Sequence, residues 1–185
     1  MTAQVVAREE LPSGRAFEVV LGSLLEESVD AIVNAANGHL AHGGGVAAVI
    51  ARAAGPALVR EGDGIVADRG SIPVGEAVVT TAGELLFEGV IHAVGPHQGI
   101  GREEEKLEAA LRSAFLRAHE RDWASVAFPA VSSGIFAVPP DVCARAYVAA
   151  VRGFWDDHPE TSLKSIRLCL LGDQLVDPVK DALAR

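Results

Sequence analysis

A shortage of basic residues limits what this chain can bind. Its 16 Lys and Arg stand against 25 Asp and Glu, which gives a formal net charge of −9. Non-specific binding to a nucleic-acid backbone depends on clustered Lys and Arg, so this charge argues against it. A phosphorylated ligand would have to be held locally, by backbone N–H groups and helix ends.

Long apolar runs are also missing. No apolar stretch approaches the ~18 residues that a membrane span needs. The first ten residues lack the basic region and apolar core of a signal peptide, so we expect a soluble chain with no membrane association. The two cysteines, Cys143 and Cys169, lie in apolar segments with no partner at metal-ligand spacing. They predict buried free thiols, no metal site and a reducing, cytoplasmic setting.

Asparagine is also scarce, and its placement is informative. The chain has only Asn34 and Asn37, three residues apart. In a sequence this poor in Asn, the pair indicates that amide chemistry is needed there; the alternative is that both residues cap or turn the end of a strand. The scarcity of Met, Asn and Gln is consistent with a thermophilic source, although genome composition gives the same bias.

The length and local patterns predict one α/β domain. Short β-branched and apolar segments predict strands, and apolar residues at helical spacing predict helices. The predicted strands are 16–21, 31–36, 77–81, 90–94, 126–128 and 166–171; the predicted helices are 44–62, 103–121, one from Pro139 or Pro140, and 175–184; residues 62–75 are a predicted loop. Because strands alternate with helices in the second half, we expect a mostly parallel, helix-covered sheet with ligand loops at the carboxyl ends of its strands.

The first candidate site is a glycine-rich loop before a predicted helix. It runs from Asn37 through His42 into Gly43, Gly44 and Gly45. Consecutive glycines let the backbone approach a ligand and adopt conformations closed to other residues. The amino end of the helix adds unpaired N–H donors and a partial positive charge of about half a unit. The pattern indicates a phosphate site; a tight packing turn is the alternative.

A second candidate loop, residues 129–136, follows the predicted strand 126–128 and reads Pro-Ala-Val-Ser-Ser-Gly-Ile-Phe. Two such loops on neighbouring strands would close around one pyrophosphate. Neither Ser132 nor Ser133 lies in a Gly-x-Ser-x-Gly elbow, and no His or Asp partner can be assigned to them. This argues against a serine nucleophile.

A dinucleotide-binding site is the rival interpretation of the glycine-rich loop. Gly43, Gly45 and Ala48 match the Rossmann fingerprint, with Asp63 about 20 residues further on. However, the fingerprint's first glycine should follow its strand almost directly, whereas residues 37–42 intervene here. Asp63 also falls in the predicted loop and not at the tip of a second strand. A Rossmann-type dehydrogenase is therefore disfavoured.

Three segments together resemble the signature of the macro domain family. They are Val-Asn-Ala-Ala-Asn at 33–37, His-Gly-Gly-Gly-Val-Ala at 42–47 and Phe-Pro-Ala-Val-Ser-Ser-Gly-Ile-Phe at 128–136; Val-Gly-Pro at 94–96 is similar to a further family turn. The resemblance implies a single macro domain over residues 1–185. The implied fold is a three-layer α/β/α arrangement with a mixed, mostly parallel central sheet, and ADP-ribose would bind at the carboxyl ends of the strands.

The resemblance also implies roles for residues. Asn37 would hydrogen-bond the distal ribose, Phe136 would pack against it, and Gly44 completes the candidate catalytic set. For His42, contact with the ribose edge and a loop-stabilising hydrogen bond both stay open. The implied ligand-binding residues are Ser23, Leu24, Ala36, Asn37, His42, Gly43, Gly44, Gly45, Val46, Ser132, Ser133, Gly134, Ile135, Phe136 and Leu171.

Three positions depart from patterns found in the family. Ser23 stands where many members have an Asp that binds the adenine amino group. Ala47 stands where MacroD-type hydrolases carry an Asp. The aromatic residue that stacks on adenine in some members is replaced near Leu171. These departures put adenine selectivity and the strength of catalysis in question.

The Gly-Gly-Gly-Val-Ala variant resembles a viral and archaeal branch that removes ADP-ribose from acidic side chains or hydrolyses related esters. It implies a cofactor-free hydrolase of mono-ADP-ribosylated carboxylates, O-acetyl-ADP-ribose or ADP-ribose 1″-phosphate. The partner would be ADP-ribose on a protein, metabolite or nucleic acid, and we expect a monomer. The alternative is a reader module that binds ADP-ribose without cleaving it, favoured by Ala47 and the lack of an obvious general base.

Overall fold

A mixed sheet with helices on both faces forms the centre of the molecule in the computed structural model, which describes residues 3–185. Within these residues the strands are β1 Gln4–Leu11, β2 Arg15–Leu21, β3 Ala31–Ala36, β4 Ala77–Thr80, β5 Gly89–Val94, β6 Ser125–Pro129 and β7 Ser165–Leu170. Their order is β1-β2-β7-β6-β3-β5-β4. The five inner strands run parallel and the two edge strands antiparallel, which confirms the predicted mixed sheet.

The helices form two layers. They are α1 Gly45–Ala54, α2 Pro56–Arg69, α3 Glu103–His119, α4 Pro140–Asp157 and α5 Val176–Leu183. On one face Leu107, Phe115 and Tyr147 pack in the core that contains Val33 of β3. On the other face the next residue back, Ile32, packs in the core of α1 and α2. Successive strand residues point to opposite faces, so β3 is apolar throughout because both of its faces are covered.

The region after α1 differs from the prediction. The single helix expected over 44–62 is two helices, and most of the predicted loop 62–75 belongs to α2, including Asp63. The break is at Gly55, whose φ of +76° ends α1, and Pro56 then occupies the first turn of α2. Two glycines at 62 and 64 disfavour a helix by propensity, but tertiary packing prevails: Gly62 is buried, and a Cβ there would lie 3.6 Å from Leu40 Cδ1.

Strand β1 was not predicted. It pairs with β2 at the edge of the sheet, and its exposed or half-buried residues include Arg8, Glu9 and Glu10. A charged, solvent-facing edge strand gives little apolar signal, although charges there discourage pairing with other chains. The remaining predicted strands and helices are confirmed within one or two residues at their ends.

The sheet order places four loops side by side. The carboxyl ends of the parallel strands β2, β7, β6 and β3 meet at one edge of the sheet, in that sequence. The loops that follow them therefore line up along this edge. No helix within residues 3–185 has the length and apolar character needed to cross a membrane.

Candidate functional site

A cleft of about 800 Å³ lies along this edge of the sheet. Its walls come from residues 22–25 after β2, residues 35–37 and 43–47 around the first loop, and residues 129–136 of the second loop; Ala41, Val49, Cys169, Leu171 and Gln174 complete the lining. Of the residues predicted for the site, all but His42 are in this lining. The fold thus brings together in space four segments that are far apart in the sequence.

The cleft is lined without charge. Its polar side chains are Ser23, Asn37, Ser132, Ser133 and Gln174, and no Asp, Glu, Lys, Arg or His of residues 3–185 is in the lining. Cys169 adds a thiol, but burial raises its pKa to about 12, so it stays protonated and a poor nucleophile. An anion in this cleft would be held by neutral donors and backbone amides.

The first loop is shaped by Asn37. The Oδ1 atom of Asn37 accepts the backbone N–H groups of His39 and Ala41, both at 3.1 Å. Its Nδ2 atom donates to the Ala41 carbonyl at 3.4 Å, which leaves a second N–H for another acceptor. Asn37 therefore caps its own loop, as the alternative interpretation of the asparagine pair expected, while it also lines the cleft.

The start of α1 supplies free backbone donors. Gly44 is fully extended, with φ −176° and ψ 178°, and no side chain caps the helix. Gly45 follows with φ +59°, a left-handed conformation that glycine adopts without penalty. The first-turn amides of a helix have no intrahelical acceptor and lie at the positive end of its dipole. Residues 43–47 line the cleft, so these free backbone donors are placed where they could meet a ligand; we call them the first amide element.

Helix α4 holds the second loop by a buried hydrogen bond. The Tyr147 hydroxyl donates to the Val131 carbonyl at 2.6 Å in the buried core. Burial raises the pKa of Tyr147 well above its usual value, so the phenol keeps the proton that it donates. Ser132 takes a left-handed φ of +67°, and its carbonyl accepts the Val138 N–H at 3.0 Å. Within residues 3–185, the backbone N–H groups of Gly134, Ile135 and Phe136 have no protein acceptor, so they are free to meet a ligand; we call them the second amide element.

The two loops approach each other through Ile135. A Cβ atom added to Gly44 or Gly45 would lie 3.5 or 3.6 Å from Ile135 Cδ1. The Ile135 side chain is 80% exposed, so it bridges the rim of the cleft and is not part of the core. A Cβ at either position would make an ordinary van der Waals contact with Ile135, and of the two only Gly45, with its φ of +59°, has a backbone conformation that favours glycine.

Three buried polar side chains, those of Asn34, His92 and Thr80, form a hydrogen-bonded network near the first loop. Asn34 Nδ2 donates to His92 Nδ1 at 3.0 Å, and His92 Nε2 lies 2.8 Å from Thr80 Oγ1, which donates to the Thr81 carbonyl. These contacts require a neutral imidazole with its proton on Nε2. Burial, with a smaller contribution from the nearby His42, lowers the pKa of His92 to about 3. The expected amide chemistry of Asn34 is therefore structural.

The ring of His42 lies beside His92 of this hydrogen-bonded network. Its ring centroid is 6.0 Å from that of His92, and its Nδ1 atom is buried without a hydrogen-bond partner within residues 3–185. Burial lowers the pKa of His42, while the carboxylate of Asp63 opposes that shift. The ribose contact and the loop hydrogen bond expected as alternatives for His42 both stay predictions.

Several lining residues lie outside the predicted ligand-binding set, although residues 129–131 are part of the predicted second loop and Ala47 was noted as a departure from the family pattern. They are Gly22, Leu25, Ala35, Ala41, Ala47, Val49, Pro129, Ala130, Val131, Cys169 and Gln174. Most adjoin a predicted residue along the chain. Gln174 is different, because it lies in the turn Asp173–Leu175 after β7. The rule that ligands bind at the carboxyl ends of parallel strands would have selected this turn, since β7 is an inner strand.

A smaller groove of about 580 Å³ lies elsewhere, between residues 25–30, residues 84–87 and Ser125. Its acidic side chains already have protein partners in two cases. Asp30 accepts the N–H groups of Ala124 and Ser125, and Glu27 pairs with Arg167. This groove would repel a phosphorylated ligand, so the cleft is the candidate site.

Comparison with known proteins identifies the family. The family model described as Macro domain matches residues 33–147, which include both loops of the cleft. The chain belongs to the macro domain family. This family assignment argues against the Rossmann-type dehydrogenase. Asp63 also lies within α2 and not at the end of a strand, the position that a dinucleotide fingerprint requires.

Curated relatives support this membership. A Macro domain-containing protein of Listeria monocytogenes is 39% identical over 84% of this chain and 90% of its own length. An O-acetyl-ADP-ribose deacetylase of Salmonella gallinarum is 45% identical over 75% of this chain and 78% of its own length. An uncharacterised protein of Thermotoga maritima is 46% identical over 90% of this chain, which spans only 28% of that longer protein.

Solved structures share the whole architecture. A macrodomain of Oceanobacillus iheyensis with ADP superimposes with a TM-score of 0.90 at 25% identity, covering 100% of this chain and 97% of its own. A Trypanosoma brucei macrodomain in complex with ADP-ribose gives a TM-score of 0.79 at 28% identity, covering 90% of this chain and 68% of its own. The three-layer macro fold is thereby confirmed.

Proposed function

We propose that this chain binds ADP-ribose in the cleft and hydrolyses ADP-ribosyl esters. The observation that carries the proposal is the pair of backbone-amide elements, at the start of α1 and at residues 134–136, on either side of one uncharged cleft. A pyrophosphate presents oxygens on both sides, so each element would take one phosphate. The solved Oceanobacillus and Trypanosoma macrodomains carry ADP and ADP-ribose, respectively.

The substrate class follows from the relatives and from the chemistry of the lining. One relative is named as an O-acetyl-ADP-ribose deacetylase. The candidate substrates are O-acetyl-ADP-ribose, mono-ADP-ribosylated carboxylates and ADP-ribose 1″-phosphate. All three place an ester or phosphoester at the distal ribose, next to Asn37 and Phe136 in the proposed orientation.

The proposed mechanism uses positioning and not a protein base. Since the cleft is lined without carboxylate or imidazole, the ligand's own phosphate would orient a water toward the distal ribose. Asn37 would donate its remaining N–H to a ribose hydroxyl, and Gly44 and Phe136 would fix the ring between the loops. Holding the water and the ribose in reacting geometry can remove a large part of the activation barrier to hydrolysis.

A reader module without catalysis is the second candidate. The observation that favours it is Ala47, buried beside the cleft where MacroD-type hydrolases have an Asp. Such a module would bind ADP-ribose with the same amides but would release it unchanged.

Two measurements test the proposal. In calorimetry the chain should bind ADP-ribose more tightly than NAD, and equal or reversed preference would contradict a macro-type cleft. Turnover of a glutamate-linked ADP-ribosyl protein should then be detectable and should fall in Asn37→Ala. If Asn37→Ala binds and turns over like the wild type, the positioning mechanism is wrong; tight binding with no turnover of any of the three esters supports the reader.

We also propose that residues 1–185 form one macro domain that acts as a monomer in the cytoplasm. One continuous sheet joins β1 near the amino end to the elements that precede α5, and the Oceanobacillus macrodomain covers the full chain. The buried free thiols of Cys143 and Cys169 fit a reducing compartment. Size-exclusion chromatography with light scattering tests the monomer.

A further inference from the structure

The two ends of the cleft differ in chemistry, and the sheet order defines which end is which. At the β2 and β7 end the walls are Leu24, Leu25, Cys169 and Leu171. At the β3 end they are Asn37 and Phe136. The Phe136 carbonyl accepts the N–H of Gln98, which follows β5, at 2.8 Å, so the backbone of Phe136 lies on the β5 side of the second loop. The second amide element belongs to the loop after β6, the strand that lies between β7 and β3.

A nucleotide sugar can fill this cleft in one sensible orientation. A flat heteroaromatic base buries its faces well against aliphatic walls, which places it at the β2 and β7 end. A ribose diol pairs well with the amide of Asn37, which places the distal ribose at the β3 end. This step rests on the proposed function, and it leaves open what reads the edge of the base.

Only two side chains can hydrogen-bond a base at that end, within the described residues. They are the Ser23 hydroxyl and the Gln174 carboxamide; the Cys169 thiol is protonated and only a weak donor. Gln174 is exposed, and its carboxamide makes no hydrogen bond to residues 3–185. It projects from the turn Asp173–Leu175, directly after the strand that carries Cys169.

We propose that Gln174 selects adenine by a paired hydrogen bond to the edge of the base. A carboxamide presents one acceptor and one donor side by side, which match the adenine amino group and its neighbouring N7 atom. Hypoxanthine presents two acceptors at the same edge, O6 and N7, so one of them would face the carboxamide oxygen without a proton between them. Gln174 is thus the residue that discriminates between the two bases.

A neutral selector also suits the electrostatics. The ligand carries two negative charges, and the protein carries a net charge of −9. A carboxylate at the base end would accept from the adenine amino group, but it would add repulsion against the pyrophosphate. Ser23, where many family members have an Asp, avoids that repulsion, and Gln174, after the neighbouring strand β7, provides both halves of the adenine pattern.

Calorimetry with ADP-ribose and its hypoxanthine analogue tests this assignment. The wild type should prefer ADP-ribose by roughly fivefold to tenfold, the lower range for a bidentate contact to a base. Gln174→Ala should weaken ADP-ribose binding by a similar factor and bind both ligands equally. Gln174→Glu keeps the acceptor for the adenine amino group but loses the donor to N7, so it should keep a preference for ADP-ribose while both ligands bind more weakly than to the wild type. Gln4→Ala, which changes an exposed glutamine of β1 outside the cleft, should behave as wild type.

The results distinguish a wrong role for Gln174 from a wrong proposed function. If the wild type binds ADP-ribose and Gln174→Ala keeps the full affinity and preference, the role of Gln174 is refuted while the proposed function stands. If the wild type binds neither ligand, both are refuted. Loss of the preference in Gln174→Ala, with an unchanged melting temperature, supports the assignment.

Discussion

At the scale of single residues, Asn37 carries two tasks with different atoms. Its Oδ1 atom holds the loop by accepting two backbone N–H groups, and its Nδ2 atom has one N–H left for a ligand. The alternative interpretations of this residue, as a turn-former and as a ligand contact, are therefore compatible. A change to Ala removes the turn-forming and the ligand-binding atoms together. A change to Asp replaces only the donor and so separates the two roles.

Asn37→Asp should keep the loop and lose the ligand contact. A carboxylate still accepts the N–H groups of His39 and Ala41 but loses the long hydrogen bond from Nδ2 to the Ala41 carbonyl, so the free energy of unfolding should fall by no more than about 1 kcal/mol. ADP-ribose affinity should fall by at least about tenfold, equivalent to ~1.4 kcal/mol, because the donor is replaced by a charge that repels phosphate. Calorimetry and urea unfolding on the same protein measure both. Undiminished affinity would mean that Asn37 only shapes the loop.

His92 makes the fold sensitive to acid. Its pKa in the folded state is about 3, below the unfolded value of 6.5, so the unfolded chain binds the extra proton first as the pH falls. The stabilisation is fully present above pH 6.5 and is lost progressively toward pH 3. This group alone should contribute a slope of up to about 1.4 kcal/mol per pH unit in that window.

The measurement is urea unfolding between pH 7 and pH 4. His92→Gln should be less stable than wild type at pH 7 but should show a shallower loss on acidification. His97→Gln, which changes an exposed histidine, should keep the wild-type slope. An unchanged slope in His92→Gln would show that other groups carry the acid response.

At this scale the sequence was informative where chemistry is local. Glycines before a helix and an asparagine after a strand have few uses, so the first loop could be recognised directly. The partnership of Asn34 with His92 could not, because it depends on the register of β3 with β5, in which these residues lie opposite each other. Gln174 was missed for the same reason, since only the sheet order brings it to the cleft.

At the scale of elements, α4 positions the second loop. Tyr147 and Trp155 lie on the same helix, and each donates one buried hydrogen bond to a backbone carbonyl. Tyr147 reaches Val131 at the base of the second loop, whereas Trp155 reaches Leu163, which is outside the cleft lining. The pair thus allows stability and binding to be tested separately.

Tyr147→Phe should weaken both the fold and the binding of ADP-ribose. The Val131 carbonyl loses a buried donor, which costs about 1–3 kcal/mol of stability. The loop that carries the amides of residues 134–136 is then less firmly held. Trp155→Phe loses its buried hydrogen bond to Leu163 and also leaves a cavity, so it should lose at least as much stability, with no loss of affinity below the transition temperature. Equal effects of the two variants on affinity would show that α4 acts only through global stability.

Element boundaries were predictable where one periodic pattern met clear end signals. The three Glu in the first turn of α3 and its apolar face predicted that helix well. Helix α2 was hidden because its two interior glycines favour a loop and only Leu58 and Gly62 are buried along it. Its stability comes from packing against Leu40 and its neighbours, a tertiary effect that local propensity does not contain.

At the scale of the whole molecule, an acidic protein contains a cleft lined without charge. A net charge of −9 repels a doubly negative ligand at long range, while the short-range contacts are made by amides. Salt screens the first effect, with a Debye length of about 10 Å at 0.1 M, and leaves the second nearly untouched. The expected salt dependence is therefore opposite to that of a lysine- or arginine-based phosphate site.

ADP-ribose affinity should stay constant or rise by about twofold as NaCl increases from about 20 to 300 mM. Val49→Lys places a cation at the exposed rim of the cleft and serves as the contrast. Its affinity should decline with salt relative to wild type. Calorimetry across the series checks both, and a steep decline in the wild type would reveal cationic contacts that the cleft lining does not contain.

The central claim is that backbone amides from two loops capture the pyrophosphate. Titration of the ¹⁵N-labelled protein with ADP-ribose, followed by amide chemical shifts, tests it most directly. The account predicts that the largest downfield proton shifts fall on Gly45, Val46 and residues 134–136, because hydrogen bonds to phosphate deshield the amide proton. Saturable binding that leaves these amides unshifted, with the changes elsewhere on the molecule, would contradict it.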